Sequence, residues 1–464
     1  MRRNLAIAGA KSAAALSRRF RLGGGTALPG LVAERIDPRV VAELASQLGR
    51  GSVLITGTNG KTTTARLLRS ILREAGLRPV SNREGSNLMR GVAAALTEAA
   101  GWNGALTAGR NSIGVFEVDE ATMPLVARAV KPSVVVFTNL FRDQLDRYGE
   151  VEAVAEVWRK AAAEFPAEVT LVINADDPSV SSLRFSARDE VLGYGLDDTT
   201  VAGGEIEHAA DARWCTRCGA ELEYSAAIYA HIGHWRCSSC GNIRIQPDVS
   251  CTRVETTTDG LALTIDAKGK LVDANVKLAG AYNAYNALAA TAGALALGIE
   301  PGKIEAGLAA STAAFGRQER FVIEGREVQV LLAKNPAGAN QALRTVIAEP
   351  GPLDIAIFLN DDIADGRDIS WIWDVDFEML AGRARSVTVS GRRAWDMALR
   401  LKYAGLGAGV EVAGRSENAL RRALRGVPEG GRLFVLPTYT AMLEVRDILG
   451  KWAGRGRFWE GDGR

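Results

Sequence analysis

Two short stretches of this chain carry residue types at spacings that chemistry can use. The first is Ser52-Val-Leu-Ile-Thr-Gly57-Thr58-Asn59-Gly60-Lys61-Thr62-Thr63-Thr64. A β-branched apolar run enters a glycine loop, and Leu67, Leu68, Ile71 and Leu72 then recur on one helical face. That context suits a phosphate cradle, because backbone N–H groups and a helix start face the anion. Lys61 would neutralise the outer phosphates of ATP without any packing role, and Thr62 would offer its hydroxyl to Mg2+. Gly57, Thr58, Asn59, Gly60 and Thr63 would line the nucleotide. The plainer reading, an ordinary glycine turn, does not account for the strand and helix on either side. The loop is shorter than the generic G-x-x-x-x-G-K form.

The second stretch pairs Cys215-x-x-Cys218 with Cys237-x-x-Cys240, with about 18 residues between the knuckles. This is the spacing of a four-thiolate ribbon, and Gly219 and Gly241 follow each pair where a tight turn is needed. Four thiolates close the tetrahedral shell of Zn2+, which makes the site structural and leaves no open position for catalysis. Two disulfides are the alternative, but nothing in the sequence marks secretion and cytosolic thiols stay reduced. Cys251 is expected to be a small buried apolar residue. All three histidines, His208, His231 and His234, fall in or beside the ribbon. A self-contained Ser-His-Asp or Cys-His hydrolase would therefore need a ribbon histidine to reach another domain.

Further segments carry a resemblance. Val115-Phe-Glu117-Val-Asp119 reads as a buried strand ending in carboxylates, with Glu117 a second magnesium ligand or a structural acid. Thr138-Asn139-Leu-Phe-Arg-Asp143-Gln144-Leu-Asp146-Arg-Tyr-Gly149 and Asn174-Ala-Asp176-Asp177-Pro178 follow in order. Asn283-Ala-Tyr-Asn286 would hold the nucleotide from the far side or serve only as a helix cap. Together with the glycine loop, these segments resemble the Mur ligases, which form amide bonds in cell-wall precursors through an acyl-phosphate. Gln144, and Lys334 in Ala333-Lys334-Asn335-Pro336, stand where that family carries histidine. The loop begins only about 50 residues in, so a separate N-terminal domain for a UDP-linked substrate is not expected. Folylpolyglutamate synthases also lack that domain and are the rival reading, but they continue Gly-Lys-Gly-Ser and carry no ribbon.

The ribbon, the short N-terminus and the segment Asn360-Asp361-Asp362-Ile-Ala-Asp365-Gly366-Arg367-Asp368-Ile-Ser370-Trp371-Ile-Trp373-Asp374 resemble one branch of the family. Its members are the synthetase subunits of lipid II isoglutaminyl synthase. The resemblance implies amidation of the α-carboxylate of D-glutamate in the stem peptide of lipid II or a related peptidoglycan precursor. It also implies a heterodimeric GatD-type glutaminase subunit that supplies ammonia, with Asp368 orienting that partner's catalytic histidine. The bland alternative for Asp361–Asp368 is a solvated turn. Trp371 and Trp373, at strand spacing, would anchor an interface or pack a core. The residues themselves support half of this chemistry: a carboxylate does not react with ammonia until ATP activates it, and Lys61, Thr62 and Glu117 suit phosphoryl transfer. Glutamine hydrolysis normally needs a Cys nucleophile with a His base, and no such pair lies outside the ribbon.

The elements that must position these groups follow from length and pattern. The 464 residues, 47% hydrophobic and 24% charged, allow several cores and exclude a fibrous or largely disordered chain. Strand-like runs at 133–137 and 169–173 flank a helical pattern at 152–163, which favours a mostly parallel α/β sheet. We expect a basic N-terminal segment (1–50), a Mur-ligase-like central P-loop ATPase domain (51–312) with the four-cysteine zinc ribbon inserted near 211–245, and a smaller C-terminal α/β domain (313–464). The active site would lie between the two large domains. A net charge of +2 gives no global pull toward nucleic acid. A zinc-ribbon nucleic-acid-binding ATPase would want a basic stripe, yet acidic residues outnumber arginines across the ribbon. The protein should be cytoplasmic. Arg2, Arg3, Lys11, Arg18, Arg19 and Arg21 all precede the first acid, Glu34. This basic amphipathic helix could either pack as a solvated element or touch the inner membrane surface.

Overall fold

The computed structural model describes residues 2–20, 27–83, 85–143, 151–187, 191–203, 206, 210–257, 260–278, 280–311 and 317–454. Five helices open the chain's central unit: α1 (Arg2–Phe20), α2 (Leu28–Ile36), α3 (Val40–Ala45), α4 (Lys61–Glu74) and α5 (Met89–Ala99). Its nine-stranded sheet runs from edge to edge as Lys270–Val276, Leu261–Ala267, Val249–Thr256, Val191–Leu196, Thr170–Asn174, Val134–Phe137, Ser52–Thr56, Ser112–Glu117 and Arg78–Val80. Seven of these strands pair in parallel, and the hairpin that adds Leu261–Ala267 and Lys270–Val276 is antiparallel. The central strands are almost wholly apolar and buried, as parallel strands covered on both faces must be.

Each face has its own core. On one, α4 buries the predicted stripe Leu67, Leu68, Ile71 and Leu72 beside the helix Ala281–Ala296, buried from Asn283 to Ala294. Its small side chains let it lie close to the sheet: a Cβ on Gly293 would sit 3.3 Å from Val136. On the other face, Ala6, Ile7 and Ala10 of α1 join α2, α3 and α5 around Phe116, Phe137 and Trp158. The basic first helix is thus part of the central unit's core.

The second unit is a six-stranded sheet, ordered Arg317–Ile323, Arg326–Leu331, Arg432–Pro437, Leu353–Phe358, Ala384–Ser390 and Val410–Val412. All its pairs are parallel except the first. Residues 312–316, where the sequence suggests the boundary, lie outside the described residues. A separate hairpin, Glu223–Tyr229 with Ile232–Arg236, carries the cysteine knuckles. Trp371 and Trp373 do not lie on a strand. Ser370 N–H donates to Asp368 Oδ1 (2.8 Å) and starts a short 3-10 turn, Ser370–Asp374, that buries Ile372 and leaves Trp373 half exposed. Among the described residues no helix is long and apolar enough to cross a membrane.

Candidate active site

The glycine loop joins Ser52–Thr56 to α4, and its shape depends on two residues without side chains. A Cβ on Gly57 (φ +136°) would lie 2.0 Å from Thr138 Oγ1, and one on Gly60 (φ +85°) 2.1 Å from Asn286 Oδ1. The loop is closed over by the segments that the sequence singles out. Asn59 N–H donates to Asn139 Oδ1 (2.8 Å), and Asn139 Nδ2 and Thr138 Oγ1 donate back to Asn59 O (3.1 and 2.8 Å). Asn286 Oδ1 accepts from Thr64 Oγ1 (3.4 Å), and Asn286 Nδ2 donates to Asn283 Oδ1 (2.9 Å). The helix cap there is Gly280, with no side-chain cap bond, so neither asparagine caps its helix.

Thr62 Oγ1 donates to both oxygens of Glu117 (3.0 and 2.9 Å), so the two expected magnesium ligands are adjacent. Glu117 is fixed from behind by Asn82, whose Nδ2 donates to Glu117 O (2.8 Å) and whose Oδ1 accepts Glu117 N–H (3.0 Å). Lys61, for which the sequence suggests no packing role, is buried. Its ammonium pairs with Glu120 Oε1 at 3.1 Å and donates to Gly57 O and Thr58 O. Burial alone would lower its pKa, but Glu120, Glu117, Asp119 and Asp143 hold it above the ordinary lysine value. Burial raises the Glu120 carboxyl despite Lys61 opposite it. Glu120 and Asn82 were missed from sequence; the only signal for Glu120 was its place in the acidic run that ends a buried strand.

The glycine loop lines a cleft whose far wall is the second unit, and Lys61, Thr62 and Glu117 lie beside it rather than on its wall. Asn59, Gly60, Thr63, Asn139, Asn283 and Asn286 face Leu331, Lys334, Ala337 and Gly338 across it. Asn335 Nδ2 donates to Asn59 Oδ1 (3.1 Å), and Lys334 Nζ pairs with Asp143 at 2.5 Å. Lys334 thus bridges the two units. Gln144, Asp146, Gly149 and His208 lie outside the described residues. The residues present fit a nucleotide and Mg2+: a glycine cradle that a Cβ would fill, a lysine, and adjacent hydroxyl and carboxylate oxygens of the hard-donor type that Mg2+ takes.

In the ribbon, Cys215 and Cys240 Sγ atoms lie 3.6 Å apart and those of Cys218 and Cys237 3.5 Å. All four lie within 4.8 Å of one another. Zn–S bonds of about 2.3 Å place tetrahedral sulfurs about 3.8 Å apart, so the set fits Zn2+. Gly219 and Gly241 take φ of +70° and +71°, the turns the knuckles require. Burial opposes ionisation of Cys215, yet the N–H groups of Arg217 and Cys218 hold its thiol down at about 6. Cys251, outside the cluster, is buried, and burial pushes its thiol up to about 12, the behaviour of an inert core residue.

The two described ribbon histidines serve packing. His234 Nε2 donates to Leu196 O (2.8 Å), and buried His231 accepts Asp211 N–H at Nδ1 (3.1 Å) and lies against Phe141, ring centroids 4.5 Å apart. Trp235 Nε1 donates to Ala175 O (3.1 Å), seating the ribbon on the sheet's Ala175–Asp177 turn. In that turn Asp176 pairs with Arg244 at 2.5 Å and accepts Tyr285 Oη (2.6 Å), while Asp177 accepts Leu140 N–H (2.8 Å). Arg142, next to Phe141, pairs with Asp211 of the ribbon and with Asp374 of the second unit at 3.2 Å.

The acidic segment of the second unit separates by role. Asp361 pairs with Arg393 and Asp362 with Arg392, both at 2.8 Å. Asp365 is buried and accepts Thr440 N–H (2.8 Å) and Thr440 Oγ1. Asp368 is exposed, accepts only the local Ser370 N–H among the described contacts, and is not part of the cleft lining.

A parallel sheet with a glycine loop at the carboxyl ends of its strands, hard-oxygen donors beside it and a second α/β unit closing the cleft define an ATP-dependent ligase of the Mur type. Residues 55–225 match the family model of the Mur ligase middle domain, and residues 332–442 that of the MurT ligase C-terminal domain. The chain is 35% identical over 431 residues to subunit MurT of the glutamine-hydrolyzing lipid II isoglutaminyl synthase of Staphylococcus aureus, spanning 92% of this chain and 93% of that one. The MurT subunit of Streptococcus pneumoniae is 35% identical over 448 residues, 96% of each chain. The chain therefore belongs to the MurT branch of the Mur ligase family. Among solved structures, a pseudomurein peptide ligase type C from Methanothermus fervidus shares the fold with a TM-score of 0.66 at 23% identity, covering 88% of this chain and 80% of that one. Mycobacterium tuberculosis folylpolyglutamate synthase does so with 0.60 at 16% identity, covering 88% and 95%.

Proposed function

We propose that this chain is the synthetase subunit of a lipid II isoglutaminyl synthase: it amidates the α-carboxylate of D-glutamate in the stem peptide, using ammonia from a GatD-type glutaminase. The observation that carries the reading is likeness over more than nine-tenths of the chain to subunits of that name, together with a cleft that has the parts for ATP. A carboxylate oxygen of the substrate attacks the γ-phosphorus of ATP and ADP leaves. Ammonia then attacks the acyl carbon, phosphate leaves, and a proton is lost to water. Lys61 neutralises charge on the transferring phosphoryl group, and the loop N–H groups orient it. Thr62 and Glu117 would hold Mg2+, which when bound offsets charge on the phosphate oxygens.

We assign the nitrogen source to another chain because His231 and His234 pack the ribbon and the one cysteine outside the cluster is buried. Asp368 is the acidic residue of its segment left to face a partner, and its carboxylate would orient an imidazole there. The setting is the cytoplasm, where ATP and reduced thiols are available, at the membrane face that carries a lipid-linked substrate. The test is reconstitution with the partner, ATP and glutamine, followed by mass spectrometry of lipid II. Conversion of the carboxylate to the amide is expected, and ATP hydrolysis with no amide product would reject the reading.

A further inference from the structure

We propose that the outward face of α1 and α2 docks on an anionic phospholipid surface. No acidic residue lies in α1. Its inner face, with Ala6, Ile7, Ala10 and Ser17, is buried. Leu5, Ser12 and Leu16 share the opposite face at i, i+7 and i+11. The two leucines are 55% and 54% exposed. Gly9 lets α2 approach, since a Cβ there would lie 2.7 Å from Ile36 and 3.2 Å from Val32. The outward positions of α2 add Leu28 and Leu31, each more than a third exposed. Trp102, 69% exposed, stands beside α1 with the Lys11 ammonium 5.3 Å from its ring centroid.

Charge selects the occupant. Six Lys and Arg residues precede Glu34, while the whole chain carries only +2, so this end holds a local positive excess. Nearby acids cancel only part of it, and Lys11 Nζ donates to Ala100 O (2.6 Å). Asp37 is buried, Glu43 already faces Arg3 (3.9 Å) and Arg39 (3.8 Å), and Glu34 is part-buried near Arg90. A nucleic-acid site would use the cations without leucines among them. Exposed leucines on a two-helix face, a sequence along α1 that is rich in cations and free of acids, and a tryptophan beside it are the composition of an interfacial helix. Such docking is reversible and salt-sensitive, and it would hold the enzyme where a lipid-linked substrate lies. In that purpose the inference rests on the function proposed above.

The test is sedimentation of the full chain with phosphatidylglycerol–phosphatidylcholine vesicles and with phosphatidylcholine alone, at low and high salt. Wild type should partition to the anionic vesicles about tenfold more than to neutral ones, with loss at high salt. Leu5→Glu/Leu16→Glu, at exposed positions, should lose this while keeping ATP turnover, and Leu31→Glu should weaken it. Equal binding to both vesicle types, no binding by wild type, or full binding by the double variant would overturn the proposal. Amidation of detergent-solubilised lipid II by a wild type that ignores vesicles would sink docking alone. Vesicle binding without amidation would sink the functional reading alone.

Discussion

The glycine loop and the acidic segment of the second unit are both short, polar and rich in candidate residues, yet the fold uses them in opposite ways. At the loop the residues with chemistry are also those that hold it together: Lys61 is buried on Glu120, Thr62 is bonded to Glu117, and Asn59 to Asn139. In the segment the roles divide. Asp361, Asp362 and Asp365 are taken up by Arg393, Arg392 and Thr440, and Asp368 faces out. A site enclosed by its own chain makes each polar group serve twice, since buried polar groups need partners. On the function proposed above, a site completed by another chain would leave such a group at the surface.

The largest effect should come where roles coincide. Lys61→Ala should cut ATP turnover at least ~10³-fold, since a charge on the transferring phosphoryl group goes unmatched. It should also cost about 3 kcal/mol of stability by leaving Glu120 buried and unpaired. Lys61→Ala/Glu120→Gln should regain stability and not turnover, read by denaturant titration beside phosphate release. Turnover restored in the double variant would mean that the lysine only packs.

Next comes Asp368→Asn in the complex. Glutamine-dependent amidation should fall roughly 10²- to 10⁴-fold, while added ammonium restores product because the ATP site is untouched. Equal loss with both nitrogen sources would move Asp368 into the ligase site and erase the contrast. No loss with either would make the segment a solvated turn.

A smaller effect tests whether the ribbon belongs with the loop. Purified protein should carry about one zinc per chain, and Cys218→Ser should lower that content. Because Asp211 and His231 brace Phe141 and Arg142, the KM for ATP should rise about tenfold, read by steady-state kinetics beside metal analysis. Unchanged KM in zinc-depleted protein would confine the ribbon to its own stability. The smallest effect is expected for Asp365→Asn, about 1–2 kcal/mol of stability from weakened bonds to Thr440, with the ratio of glutamine- to ammonium-driven rates unchanged. A change in that ratio would show that the inner aspartate also reaches the partner.

The sequence by itself determined the strand, glycine loop and helix around Lys61, the thiolate knuckles with their glycine turns, and the parallel α/β class. These are legible because they depend on local spacing: helical periodicity, a turn that needs φ above zero, a ligand pair two residues apart. Only the tertiary structure decided which polar residues have partners. It set Glu120 against Lys61, turned Trp371 and Trp373 off a strand into a 3-10 turn, put Asn283 and Asn286 on the cleft wall rather than at a helix cap, and brought Lys334 to Asp143 from 191 residues away. The physical reason is that burial and pairing are properties of surfaces brought together by folding, and residues distant in the chain carry no local mark of the neighbour they will meet.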